Sequence, residues 1–255
     1  MFSESIISYL NETLQQYNSQ SFIAKDPISI PHQFNQKQDI EIAGFFAAIL
    51  AWGKRTSIIN SCNKLMRIMN HQPYQFILHH TDADLQRCLG FVHRTFNDTD
   101  LLYFIQFLKY HYQNSDTLET AFYPLNAENW NMEQMLIHFK QYFFSLENAP
   151  QRTKKHIASP TTKSTCKRLN MFLRWMVRTK GPVDFGLWHR IQAKDLVCPI
   201  DVHVARVARK FGLLMHTKDD WKAALELTAN LKILDANDPV KYDLVLFGLG
   251  VSQEI

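Results

Sequence analysis

Apolar positions recur at helical spacing along most of the chain. Residues 3–18 carry the mixed faces of an amphipathic helix. A loop with Asp26-Pro27 and Ile30-Pro31 follows. From Asp39 to Trp52 the chain is apolar nearly all round, as in a helix at the centre of a core, and the pattern stops at Gly53. The same spacing predicts helices over 56–69, 99–112, 130–145, 163–178, 202–211, 219–231 and 239–249, with 70–90 less regular. No segment shows a convincing strand pattern and no internal repeat is visible. The predicted fold class is therefore all-α.

Composition agrees. The 255 residues suffice for a sizeable core. Glycine occurs only 8 times, which favours helices over turn-rich sheets. Four widely spaced cysteines, Cys62, Cys88, Cys166 and Cys198, form no CxxC pair, so zinc ribbons and cysteine-held clusters are not expected. The start has no basic segment leading into an apolar core, and no window is apolar enough to span a membrane; a cytoplasmic protein is expected.

A net charge of +4 says little, but its distribution says more. Ala149 to Val183 holds no acidic residue, while Arg152, Lys154, Lys155, Lys163, Lys167, Arg168, Arg174, Arg178 and Lys180 fall within it. On a helix, Lys163, Lys167, Arg174 and Arg178 lie within about 60° of one another. Leu169, Phe172, Leu173 and Met176 take the opposite face. A one-sign stripe lacks supporting i,i+4 ion pairs, and phosphate binding is its simplest use. An unpaired solvated face is the alternative.

Two residues stand out as chemistry. Asp201 follows the apolar run 196–200 and precedes the short basic helix, so it is an N-cap held ionised at the positive helix end. Ser159-Pro160-Thr161-Thr162 resembles a turn into a helix start, which places Lys163 in the first turn. There the dipole and Lys167 both favour the neutral amine, a nucleophile toward a sugar anomeric carbon. A surface or phosphate-binding lysine is the plainer reading. Trp52, Trp175, Trp188 and Trp221 are available for stacking on a base, although core positions suit them better. The run His79-His80-Thr81-Asp82-Ala83-Asp84 suggests a metal-dependent hydrolase only if further ligands converge on it.

The segment Pro199-Ile200-Asp201-Val202-His203-Val204, followed by Arg206-Val207, resembles the catalytic-aspartate segment of the helix-hairpin-helix DNA glycosylases, the superfamily of endonuclease III and the 8-oxoguanine glycosylases. Residues 239–250 resemble its closing helix, and the helix from Ile42 into the basic turn at Thr56 resembles its early core helix and duplex-wedging residues. The combination also resembles an uncharacterised bacterial family related to that superfamily. The resemblance implies two helical lobes flanking a cleft, here about 38–180 and 1–37 with 195–255. It implies Asp201 as the carboxylate that stabilises the cationic sugar, and Lys163 as the amine that forms a Schiff base in members with abasic-site (AP) lyase activity. Lys54, Arg55, Arg152, Lys154, Lys155, Lys167, Arg174, Arg178 and Arg206 are the expected nucleic-acid contacts. The partner is double-stranded DNA with a damaged base or abasic site, the protein a monomer, and no cofactor or metal is expected. The hairpin's usual glycines are absent from Ile157–Thr162, which keeps open a non-catalytic DNA- or RNA-binding role on the same scaffold.

Overall fold

A computed structural model describes residues 4–179 and 181–252; Lys180 of the acid-free stretch lies outside them. The helices in chain order are α1 (Glu4–Tyr17), α2 (Gln20–Ile23), α3 (Lys37–Leu50), α4 (Arg55–Ile68), α5 (Pro73–His79), α6 (Asp82–Gln86), α7 (Asp98–Tyr112), α8 (Glu119–Phe122), α9 (Met132–Phe143), α10 (Lys167–Val177), α11 (Val202–Lys210), α12 (Trp221–Leu234) and α13 (Asp243–Ser252). The fold is predominantly helical, as the apolar spacing predicts. A small antiparallel hairpin interrupts it, β1 (Val92–His93) with β2 (Phe96–Asn97), pairing Val92 with Asn97 and His93 with Phe96. Two-residue strands are too short to register as alternation, which is why sequence periodicity passes over them.

Two starts differ from expectation. The helix predicted over 163–178 begins only at Lys167, and the one over 239–249 opens as a 3-10 turn, Pro239–Tyr242, before α13. The less regular 70–90 region holds α5 and α6. Thr81 and Asp84 form a reciprocal capping box at the start of α6, and Asn97 and Asp100 form another at α7.

The chain divides into two compact units. One comprises residues 25–130 and 134–158. Its centre is α3, where all eleven residues from Ile40 to Leu50 are buried. Phe45, Phe46, Phe104, Phe107, Phe139 and Phe143 fill the space around it. The 3-10 turns Pro27–Ser29 and Pro31–Gln33 pack on α3 through fully buried Ile28 and Ile30. That anchoring moves residues 25–37 out of the lobe expected for 1–37.

The other unit comprises residues 1–24, 131–133 and 159–255. Within it α11 packs along α13, which also contacts α1. The approach depends on two glycines. A Cβ on Gly250 would stand 2.8 Å from His203 Cβ, and one on Gly248 would stand 2.4 Å from the Tyr17 ring. Helix α10, expected with 38–180, belongs to this unit instead. Its arginines bind acids that lie further along the chain, as described next.

Candidate functional site: a lysine–aspartate pair at two helix N-termini

Asp201 is the N-cap of α11, as its sequence context predicts. Its Oδ1 accepts the backbone N–H groups of His203 at 2.9 Å and Val204 at 3.0 Å. Its Oδ2 lies 3.3 Å from Lys167 Nζ. Burial alone would raise the Asp201 carboxyl; the Lys167 charge and the cap N–H of Val204 outweigh it and hold the group below its ordinary value. Lys167 is the first residue of α10, so both members of the pair stand at helix N-termini. Their side chains keep 23% and 22% of their surface exposed, enough for a substrate to reach them. The Lys167 ammonium also sits 5.6 Å from the centre of the Phe247 ring.

Lys163 occupies a different place from the one expected. It is not in a helical first turn. It ends the 3-10 turn Pro160–Thr162 in a left-handed conformation, φ 60°, and its carbonyl accepts the Trp221 N–H at 3.2 Å. Cys166, also left-handed at φ 52°, makes the second reversal before α10 begins. Lys163 is therefore not activated by a helix dipole. The amine facing Asp201 belongs to Lys167, four residues on. Two non-glycine residues with positive φ, Lys163 and Cys166, postpone the helix, and pattern reading does not show them. The segment is not a hairpin between two α-helices.

The arginine half of the proposed phosphate stripe is not a surface. Arg174 and Arg178 are 3% and 1% exposed. Arg174 Nε binds Asp184 at 3.2 Å, and its Nη1 binds Asp243. Arg178 grips Asp238 with Nε and Nη2, at 2.8 and 3.0 Å, and binds Asp184 with Nη1. The acids missing from the local sequence arrive from 184, 238 and 243. Burial pushes the Asp243 carboxyl up to about 6 even though Arg174 and Lys167 pull it down. Arg178 stays firmly charged: burial works against the cation, but Asp184 and Asp238 more than offset it.

Other expected contacts divide in the same way. Arg152 binds Asp100 at 2.8 Å, the Asn97 side chain, and the Thr95 carbonyl at 3.1 Å, and so pins the turn Gln151–Lys155 to the start of α7. Its charge is already met. Lys154 and Lys155 are exposed beside it. Lys54 is exposed at the N-cap of α4, and Arg55 opens that helix. Arg206 is exposed, with Nη2 donating to the Gly250 carbonyl at 2.6 Å. Trp175, Trp188 and Trp221 are buried core residues, while half-exposed Trp52 carries the Arg94 guanidinium 4.7 Å from its ring. The 79–84 run is accounted for by the α6 capping box. Among the described residues no group of three or more His, Cys, Asp or Glu side chains is placed to hold a metal ion. No described helix is long and apolar enough to cross a membrane.

His203, to which the sequence gives no role, neighbours the pair through its backbone N–H to Asp201. Its Nδ1 lies 3.1 Å from the Gly250 carbonyl, and its ring meets Phe247 edge-on. Its place two residues after a capping aspartate is the signal that was available.

The protein is thus predominantly helical, with a lysine and an aspartate joined at two helix N-termini. Residues 26–252 match the model of the family described as a protein of unknown function, DUF2400, and the chain belongs to that family. Comparison with curated proteins and with solved structures finds no match to either.

Proposed function

We propose that this protein is a DNA glycosylase with AP-lyase activity, acting on double-stranded DNA that carries a damaged base or an abasic site. The observation that carries the reading is the Lys167 Nζ to Asp201 Oδ2 distance of 3.3 Å at a partly open position. Asp201, ionised and held by two cap N–H groups, is suited to stabilise positive charge on the sugar as a base departs. On the ring-opened abasic sugar Lys167 Nζ, once its ammonium has given a proton to solvent, adds to the C1′ aldehyde, and loss of water from the resulting carbinolamine gives a Schiff base. The resemblance of residues 199–207 to the glycosylase aspartate segment supports the same assignment, with Lys167 taking the role first expected of Lys163.

Borohydride trapping on an abasic-site duplex tests it. The intact protein is expected to form a covalent adduct that Lys167→Ala abolishes and Lys163→Ala retains. No adduct from the unmodified protein, together with no base release from lesion-bearing duplexes, would overturn the proposal. Duplex binding that persists without either reaction would favour the non-catalytic nucleic-acid-binding role.

A further inference from the structure

We infer that His203 Nε2 is the base that removes the C2′ proton in the elimination step; the inference rests on the AP-lyase reading above. Its starting point is the contact between α11 and α13. Gly250 lets α13 approach until its carbonyl oxygen lies 3.1 Å from His203 Nδ1. A carbonyl can only accept, so Nδ1 must carry the hydrogen. In the neutral ring Nε2 then holds a lone pair and no proton. The ring is half-buried and is held by the Gly250 carbonyl at Nδ1, and Phe247 meets it edge-on at 6.5 Å.

The position is right for a shared site. The His203 backbone N–H is one of the two that hold Asp201, so the ring leaves the chain at the mouth of the same helix. The Phe247 ring contacts both groups: the Lys167 ammonium lies 5.6 Å from its centre and the His203 ring 6.5 Å, edge-on. A base oriented by a backbone carbonyl, beside a nucleophilic amine, is the arrangement proton abstraction requires. Asp201 is poorly suited to that task, since both its oxygens are engaged and its carboxyl is a weak base.

The step balances without any further reagent. Once Lys167 Nζ is joined to C1′ as an iminium, Nε2 takes the proton from C2′. The C2′–H electron pair becomes the new C1′–C2′ enamine bond. As that bond forms, the C1′=N π pair moves onto Nζ; the Nζ pair then re-forms the iminium, the C1′=C2′ π pair shifts into C2′–C3′, and the C3′–O bond breaks. Its electrons leave with the phosphate oxygen, and the imidazolium later returns its proton to solvent.

His203→Asn keeps a side-chain amide to donate to Gly250 but has no basic nitrogen; His203→Gln is the second variant. On an abasic-site duplex, both are expected to form borohydride-trapped adduct within about twofold of the unmodified protein, while strand scission falls on the order of 100-fold. Undiminished scission overturns the inference. Loss of adduct in step with scission also overturns it, because that places His203 before the elimination. A histidine nitrogen NMR spectrum showing the Nε2–H tautomer overturns it without reference to activity. Failure of the underlying reading is seen separately, as absence of adduct from the unmodified protein, and takes this step with it.

Discussion

At the scale of single residues, the pair Lys167–Asp201 divides two jobs that a sequence joins in one position. Asp201 is both a helix cap and the candidate carboxylate. Asp201→Ala should destabilise the protein by about 0.5–2 kcal/mol in urea unfolding through loss of the cap, and should also suppress any base release. Asp201→Asn, which retains the cap, should recover most of the stability but not the reaction. Two carboxyls of this unit, Asp201 and Asp243, are shifted in opposite directions. Asp201, held below its ordinary 3.8, contributes stability that is present above 3.8 and is lost as pH falls through its lower folded value. Asp243, near 6 when folded, behaves in reverse: its contribution is complete below 3.8 and is lost as pH rises through about 6. A carboxyl-carbon NMR titration should find the Asp243 midpoint near 6 and the Asp201 midpoint below 3.8. Equal midpoints for the two would refute the assigned environments.

At the scale of elements, most helices were legible because each buries one face, and burial imposes a 3.6-residue period on the sequence. Helix α3 lies within two residues of its expected bounds, and α7 and α11 within one. The start of α10 was not legible. Lys163 and Cys166 both turn with positive φ, and nothing in a lysine or a cysteine announces that. The close approach of α13 to α1 at Gly248 and to α11 at Gly250 was equally hidden, since either glycine could as well have been a flexible position. Their packing role makes a definite forecast. Gly250→Ala should push α13 off His203 and cost about 1–3 kcal/mol by overpacking. The His203 ring signals should shift with it, since the bond to the Gly250 carbonyl would lengthen. Unchanged unfolding and unchanged histidine spectra would show that the helices yield easily.

At the scale of the whole molecule, the charge pattern of residues 149–183 misled because it was read locally. Helical geometry correctly placed Arg174 and Arg178 on one face, but that face is covered by Asp184, Asp238 and Asp243. Removing one partner of such a network leaves buried charge unmet. Arg178→Met should therefore destabilise the protein by about 3–5 kcal/mol. Hydrogen exchange should show lost protection in α10, which carries Arg174, and in α13, which carries Asp243; full protection retained there would contradict the buried network. By itself the sequence determined the helical class, the α3 core helix and the capping role of Asp201, since each depends on residues close together in the chain. Which lysine meets Asp201, which arginines are hidden and how His203 is oriented were decided only by the tertiary structure. Those outcomes depend on Asp184, Asp238, Asp243, the Gly250 carbonyl and two positive-φ turns, whose placement no hydrophobic period encodes.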